Sequence, residues 1–209
     1  MKPRHWHWIW ASVVLGALCG AMSSAFAASD EAPDEMMRRL AAEAMASAKA
    51  PGADADESRR VTALVDTQIM PNVDFVRMTA AVVGRSWREA SAAQRERLQD
   101  EFKRLLVRTY AGALMQLKDR TVTVKPLRAG ADATDVIVHT LVKGGGEPVA
   151  LDYRLEKSVA GWKIIDLNVM GIWLVETYRG QFAAEIGARG VEGLITALSE
   201  RNRLVAKAR

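Results

Sequence analysis

Residues 148–156, which read PVALDYRLE, decide the fold class of this chain. Polarity alternates along the segment, which is the pattern of a β-strand with one buried face. Val149, Leu151, Tyr153 and Leu155 point to one side of the strand, and mostly polar residues point to the other. Such a strand predicts an antiparallel sheet that packs one face against a core.

Three further segments have strand-like patterns and lie close to the first one along the chain. They cover residues 121–126, 134–142 and 161–169, and they either alternate in polarity or are rich in β-branched residues. The links between the segments are short, and short links favour antiparallel neighbours. We therefore expect a meander of about four strands. The link at residues 143–146, Lys-Gly-Gly-Gly, lacks the spacing of a phosphate-binding loop and is typical of a hairpin turn.

The last strand-like segment does not alternate throughout. Trp162 and Ile164 are followed out of phase by Ile165, Leu167 and Val169. This change of phase indicates either a β-bulge or a sheet that is covered on both faces.

Helices are predicted before the strands. The first covers residues 35–49, and a second begins at Ser58 and ends at Pro71. Asn72 is the expected N-cap of a third helix, which Gly84 ends.

The longest predicted helix opens with a capping box formed by Ser91 and Gln94. After the strands, the segment at residues 173–188 and a short helix around Leu194 close the fold. The polar tail, residues 201–209, is expected to fray, above all over its last six residues.

The composition is that of a single globular domain. The chain has 209 residues, of which 49% are apolar and 26% are charged. Its single cysteine excludes a disulfide framework. Helices before and after an antiparallel sheet of about four strands in the sequence make the expected architecture one α+β domain.

The N-terminal residues have the organisation of a secretory signal peptide. Residues 1–8 are basic, and residues 9–22 form an uninterrupted run of 14 apolar or small residues. A membrane-spanning helix needs about 20 such residues. Ala25-Phe26-Ala27 has the form of an A-x-A cleavage site. We therefore expect residues 1–27 to be removed and residues 28–209 to form the mature domain in the periplasm.

The mature chain is poor in residues that bind metals or attack substrates. Without Lys2 and Arg4 of the signal peptide, the mature chain has 27 basic and 25 acidic residues. This small positive net charge does not indicate a nucleic-acid-binding protein. The mature chain has no cysteine, whereas most metal sites need two or more thiolate or imidazole ligands. Its one histidine, His139, is expected to be structural, and no nucleophile-elbow sequence is present.

Three acids keep an enzyme open as an alternative. Asp152, Asp166 and Glu176 lie near aromatic residues in the sequence, and a buried carboxylate can act as a general base. The alternative function is therefore a small-molecule enzyme on a cone-shaped α+β scaffold that uses a buried aspartate.

Six short motifs occur in a specific order from about residue 35 to residue 203. The most specific is GIWLVETYRGQF at residues 171–182. The others are IMPNVDF at 69–75, GRSW at 84–87, FKRLLVRTY at 102–110, DYR at 152–154 and GWKIID at 161–166. Together they resemble the MlaC family of periplasmic phospholipid-binding proteins, the auxiliary components of toluene-tolerance transport systems. Trp173 and Gly180 stand where serine is common in that family.

The resemblance implies a lipid carrier and no enzyme. Members of this family hold phospholipid tails in a deep apolar cavity between the sheet and the helices. They move lipid between an outer-membrane MlaA-like lipoprotein with its porin and an inner-membrane ABC transporter with a substrate-binding MlaD-like subunit. The implied role is the maintenance of outer-membrane lipid asymmetry, by a monomer with phospholipid as cargo and no cofactor. A hopanoid or another membrane lipid is an alternative cargo.

The lipid-contact candidates are apolar and aromatic residues on the predicted strands and helix stripes. They are Phe75, Phe102, Leu106, Tyr110, Val136, Val138, Val149, Leu151, Tyr153, Trp162, Ile164, Leu174, Tyr178 and Phe182. By periodicity alone, each of them has the pattern of an ordinary core residue.

Two arginines in the matched motifs are candidates for a headgroup contact. Arg154 and Arg179 each follow a tyrosine, and a guanidinium can bind a phosphate through two parallel hydrogen bonds. The alternative to headgroup binding, which the sequence favours, is a structural role in which each arginine forms an ion pair with an acid such as Asp152, Asp166 or Glu176.

Overall fold

The computed structural model describes residues 31–50, 57–130 and 132–207, and in them a single sheet follows five α-helices along the chain and precedes a sixth. The predicted α+β architecture is therefore confirmed, whereas the predicted signal peptide lies outside the described residues. The helices are α1 (Pro33–Lys49), α2 (Glu57–Leu64), α3 (Phe75–Val83), α4 (Ser86–Glu89), α5 (Ala92–Met115) and α6 (Leu174–Lys207). The strands are β1 (Thr121–Val124), β2 (Asp135–Lys143), β3 (Val149–Ser158), β4 (Gly161–Val169) and β5 (Ile172–Trp173).

The strands lie in the sheet in chain order, and every neighbouring pair is antiparallel. The predicted meander is confirmed, with one strand more than expected. The additional strand, β5, has only two residues, which pair with Asn168 and Val169 at the end of β4. Two residues are too few to show a period of two, so this strand leaves no signal in the sequence.

A β-bulge in β4 explains the change of phase in its sequence. The pairing of β4 with β3 shifts between Arg154 and Leu155, and Ile165 is the residue left without a partner. Because of this extra residue, Ile164 and Leu167 face the same side of the sheet although they are three positions apart.

Side-chain caps start helices α3 and α5. Ser91 Oγ accepts a hydrogen bond from the backbone N–H of Gln94 at 3.2 Å, and Gln94 Oε1 accepts one from the Ser91 N–H at 3.0 Å. The predicted capping box of α5 is thus confirmed. The predicted cap of α3 is wrong, because Asp74 and not Asn72 accepts the bond from the Arg77 N–H, at 2.9 Å. Both residues cap well, so their side chains do not distinguish the two positions.

The largest core cluster lies between α3, α5 and α6 and centres on Phe102. The ring of Phe102 has no exposure to solvent, and its centroid is 5.6 Å from that of Phe75, 5.1 Å from Tyr178 and 5.3 Å from Phe182. One contact is stacked and two are edge-to-face, which are the geometries that aromatic pairs prefer. The cluster therefore fixes these three helices relative to one another.

The last helix is longer than its sequence predicts. The backbone kinks at Gly190, where φ is 68°, but α6 then continues to Lys207 through most of the segment expected to fray. Asn202 holds it in place, because its side-chain amide donates to the main-chain oxygen of Glu101 at 2.9 Å and to the Glu101 carboxylate at 2.7 Å. This anchor joins residues 101 positions apart, so no local pattern reveals it.

Candidate functional site

A cavity of about 270 Å³ lies between one face of the sheet, α1 and the C-terminal half of α5. We call this face the inner face of the sheet. The residues that line the cavity are Met37, Leu40, Ala41, Ala44, Ile69, Tyr110, Ala113, Leu114, Gln116, Leu117, Arg120, Val122, Thr140, Val142, Val149, Leu151, Tyr153, Ile164, Leu167 and Val169. A concave, mostly apolar space with a few polar groups is the usual form of a small-molecule binding site.

The sheet forms one wall of the cavity through the regular alternation of its strands. Val149, Leu151 and Tyr153 are two residues apart on β3 and share one face. On β4 the bulge brings Leu167 and Val169 to that same face. The bulge thus keeps the β4 part of this wall apolar.

α1 forms the opposite wall. Met37, Leu40, Ala41 and Ala44 follow the spacing i, i+3, i+4, i+7, which places them on one face of the helix. Sequence reasoning missed this wall because the segment is rich in alanine and its apolar stripe is weak. The same helical spacing, read with alanine counted as apolar, is the signal that finds it.

The cavity reaches the surface where α5 ends. Ala113 and Gln116 are the exposed lining residues, and the half-buried Arg120 lies four residues after Gln116. Arg120 is also the one charged residue among the lining residues named above. The cavity therefore has an apolar interior and a cationic mouth.

A few polar atoms lie deeper in the cavity. Thr140 is 4% exposed, and its hydroxyl has no hydrogen-bond partner among the described residues. Burial raises the pKa of Tyr153 to about 12. Burial, together with the neighbouring Tyr178, also raises the pKa of Tyr110. Both phenols are therefore neutral at physiological pH and add no negative charge.

The predicted lipid-contact residues divide between this cavity and the core. Five line the cavity, namely Tyr110, Val149, Leu151, Tyr153 and Ile164. Phe75, Phe102, Leu174, Tyr178 and Phe182 lie in the aromatic core between α3, α5 and α6, and Leu106 packs against it. Val136, Val138 and Trp162 lie in or against a second cluster between α1 and the sheet.

The two arginines of the matched motifs lie outside the cavity, Arg154 on the outer face of the sheet and Arg179 on α6. Arg154 follows the cavity residue Tyr153 on β3, so it points the opposite way. Its guanidinium lies over the ring of Trp173, with Cζ 4.5 Å from the ring centroid. Arg179 Nε donates to the carbonyl oxygen of Ala81 at 3.0 Å. Neither arginine belongs to the cavity wall.

The predicted ion pairs of these arginines are not formed. Within the described residues, no carboxylate oxygen of Asp152, Asp166 or Glu176 lies within 4.0 Å of a nitrogen of Arg154 or Arg179. The aromatic ring and the backbone carbonyl take the place of the carboxylate partners. Tertiary contacts of this kind have no signature in the local sequence.

Asp166 is a buried aspartate on the same outer face. It is 5% exposed, and its Oδ1 accepts hydrogen bonds from the N–H of Leu167 at 2.8 Å and of Val175 at 3.1 Å. Val175 lies in the first turn of α6, so the carboxylate caps that helix. Burial raises the pKa of Asp166, against the opposing effect of these two hydrogen bonds and of the nearby Arg154 and Arg179.

Substitution of Asp166 tests this capping role. Asp166→Ala removes the acceptor of two N–H groups, and we expect it to lower the free energy of unfolding by about 1–3 kcal/mol. Asp166→Asn keeps an acceptor oxygen and cannot ionise. Because burial raises the folded pKa above the unfolded value, the wild type loses stability as the pH rises through the folded pKa. In urea denaturation, the free energy of unfolding of the Asn variant should therefore increase relative to that of the wild type from acidic to neutral pH. An Ala variant as stable as the wild type would contradict the cap.

His139 lies on the outer face as well. Its Nδ1 is 2.7 Å from Oδ1 of Asp152, its cross-strand neighbour. In the part of the chain that the structure describes, no group of three or more His, Cys, Asp or Glu residues is placed to hold a metal ion. Among the described helices, none contains an apolar stretch of the length that a bilayer span requires.

Comparison with known proteins identifies the family. The family model "MlaC protein" matches residues 38–200, which is well over half of the chain. The chain belongs to the MlaC family. The resemblance carried by its motifs is thereby confirmed.

Two relatives of this MlaC family member have names that describe their roles. The toluene tolerance protein ttg2D of Pseudomonas putida is 29% identical over 103 residues, which cover 49% of this chain and 48% of the relative. The intermembrane phospholipid transport system binding protein MlaC of Haemophilus influenzae is 22% identical over 141 residues, 66% of each chain. The chain thus spans less than two thirds of the length of these relatives.

A solved structure confirms the fold of this MlaC family member. The phospholipid-binding protein of Ralstonia solanacearum, determined in complex with a phospholipid, superposes with a TM-score of 0.77. It is 46% identical in sequence, and the match covers 83% of this chain and 98% of that one.

Proposed function

We propose that this MlaC family member is a non-enzymatic phospholipid carrier that buries acyl chains in the cavity between α1, α5 and the sheet. The apolar lining of that cavity is the observation that carries the proposal. The Ralstonia solanacearum protein, similar in fold and 46% identical, binds a phospholipid. The Haemophilus influenzae relative is named as the binding protein of a phospholipid transport system. Both support the same class of cargo.

Burial of the acyl chains removes the main barrier to moving a lipid through water. Exposure of an acyl chain costs about 0.8 kcal/mol per methylene, so two chains of roughly 15 methylenes each cost on the order of 20 kcal/mol. Transfer from a bilayer to an apolar cavity exchanges one apolar environment for another, and its net free energy is small. The carrier alone therefore does not set the direction of transport. We propose that ATP hydrolysis in a partner transporter sets it.

The size of the cavity indicates that its walls separate when lipid enters. About 270 Å³ is slightly below the range for small-molecule sites, roughly 300–1,000 Å³, and a two-chain lipid needs more space. α1 is the wall best suited to move, because the aromatic core holds α3, α5 and α6 together and does not include α1. Met36 and Met37 on α1 are unbranched and repack easily as the helix shifts.

The cellular setting follows from the same proposal. We propose that residues 1–27 export the chain and that residues 28–209 work as a monomer in the periplasm. The partners would be an outer-membrane lipoprotein with its porin and an inner-membrane ABC transporter. The names of the relatives, a toluene tolerance protein and a transport system binding protein, support a place in such a system.

The enzyme alternative rests on Asp166, which is buried and has a raised pKa. Its two hydrogen bonds to backbone N–H groups give this carboxylate a structural role without any catalysis. If catalysis were its role, Asp166→Asn would abolish the activity in cells while the protein stays folded. The carrier proposal expects no such loss.

Lipid transfer between vesicles tests the proposed function. The protein, exported through its own leader and purified, is added to donor vesicles that carry a fluorescent phospholipid and to unlabelled acceptor vesicles. We expect the transfer rate to rise in proportion to the protein concentration and to exceed the spontaneous rate by at least tenfold, because the cavity removes the cost of exposing the chains. A folded protein that leaves the spontaneous rate unchanged would contradict carrier activity.

A further inference from the structure

Arg120 lies at the mouth of the cavity, and its charge has no partner among the residues that the structure describes. Its side chain lines the cavity and forms no hydrogen bond or ion pair within residues 31–50, 57–130 and 132–207. A guanidinium presents five N–H donors in a fixed planar arrangement that matches a phosphate or a carboxylate. A cation that no acid of the described chain neutralises is available to an anionic group of a ligand.

The glycine-rich hairpin between β2 and β3 provides the space for this side chain. The antiparallel pairing of β1 with β2 places Arg120 across from Gly144. A Cβ atom on Gly144 would lie 2.9 Å from the main-chain oxygen of Asp119, and one on Gly145 would lie 3.2 Å from Cζ of Arg120. Both glycines have positive φ angles, 114° and 69°, which other residues rarely adopt. The two glycines thus allow the guanidinium of Arg120 to pack closely against the backbone of the hairpin.

The position of Arg120 matches the division of a phospholipid into tails and headgroup. The interior of the cavity is apolar, and the exposed lining residues Ala113 and Gln116 mark its opening. A lipid whose tails fill the interior would leave its phosphate at this opening. Arg154 on the outer face of the sheet and Arg179 on α6 do not line the cavity, so neither would contact the tails.

We propose that Arg120 binds the phosphate group of the lipid whose acyl chains occupy the cavity. The cavity thereby selects phospholipids over neutral lipids with the same chains. This inference rests on the proposed carrier function and adds the chemistry that recognises the headgroup.

Two lipids that differ only in the phosphate headgroup test the inference. Phosphatidylcholine and diacylglycerol with identical chains are offered in vesicles without net charge, and the lipid extracted by the protein is measured by mass spectrometry. We expect the wild type to prefer phosphatidylcholine. Arg120→Gln should lower phosphatidylcholine extraction about tenfold, since hydrogen bonds to a charged group are worth one or more factors of ten, and should leave diacylglycerol extraction unchanged.

Two further variants separate the guanidinium from charge in general. Arg120→Lys keeps the charge but loses the planar arrangement of donors, so it should bind phosphatidylcholine more weakly than the wild type and better than Arg120→Gln. Lys118→Gln removes the same charge from an exposed neighbour that does not line the cavity, and it should leave extraction of both lipids unchanged.

The possible results distinguish this inference from the proposed function. Equal extraction of phosphatidylcholine by the wild type and by Arg120→Gln overturns the role of Arg120 and leaves the carrier intact. A folded wild type that extracts neither lipid overturns both. Titration with inorganic phosphate alone identifies the source of the anion. Free phosphate would be the ligand if the wild type saturates at millimolar phosphate, Arg120→Gln does not, and Arg120→Gln extracts lipid as well as the wild type. That result would overturn the headgroup role.

Discussion

Leu151→Glu is expected to abolish phospholipid binding while the protein stays folded. Leu151 lies on the sheet wall of the cavity, between its strand partners Thr140 and Val169, which also line the cavity. A carboxylate there would face acyl chains, and burial of an unpaired charge costs several kcal/mol. Each 1.4 kcal/mol is a factor of ten in affinity, so bound lipid should fall at least a hundredfold. In the lipid-free protein the cavity opens to water, which can hydrate the new charge.

The matched control for this substitution is Val159→Glu. Val159 is 99% exposed in the turn between β3 and β4, so the same charge there should leave lipid binding and stability unchanged. The measurement is the amount of phospholipid per protein in an organic extract, with circular dichroism to verify folding. A Leu151→Glu variant that is folded and retains as much lipid as the wild type would show that the chains bind elsewhere.

Phe102→Ala is expected to have the largest effect on stability. Phe102 contacts three other aromatic rings with its own ring fully buried, and the substitution leaves a cavity where three helices meet. Truncations of this kind cost about 3–5 kcal/mol. Urea denaturation of the lipid-free protein measures the change in the free energy of unfolding.

Val76→Ala is the control for this core position. Val76 is exposed on α3, next to the buried Phe75, and its truncation should change the stability by less than about 0.5 kcal/mol. If Phe102→Ala cost no more than Val76→Ala while lipid binding was lost, Phe102 would contact lipid and the assignment of this ring to the core would be wrong.

Strands β1 to β4 were predictable because each carries its own local signal. Alternation along residues 148–156 identified β3 and its buried face. The phase change at Ile165 predicted either a bulge or a sheet covered on both faces, and the structure has the bulge, which aligns Ile164 with Leu167. The capping box of α5 is local in the same sense, since it needs only Ser91 and Gln94. Patterns of this kind reflect the geometry of one element and do not depend on what packs against it.

The division between cavity and core was not predictable from the same patterns. Phe102 and Leu151 are both apolar residues on a buried face, yet one lies in a close-packed cluster and the other on a cavity wall. Whether a residue lies in a core or on a cavity wall depends on the distance between its own element and the element that faces it. That distance is a property of tertiary packing, here of α1 against the sheet, and periodicity contains no information about it.

The positions of the arginines likewise depend on tertiary packing and not on local sequence patterns. Arg154 and Arg179 attract attention because they belong to recognisable motifs, but strand alternation and the contact with Trp173 place Arg154 on the outer face. Arg120 belongs to none of those motifs and follows a helix without any special spacing. Only the fold brings it to the cavity mouth beside Gly144 and Gly145.

The central claim is that the cavity carries phospholipid, and mass spectrometry of an organic extract of the purified protein tests it most directly. The protein is exported through its own leader so that it meets membranes, and the extract is quantified against the protein. We expect a two-chain phospholipid at a stoichiometry near one per chain. A folded protein without lipid would contradict the claim, and a different lipid at that stoichiometry would replace phospholipid as the cargo.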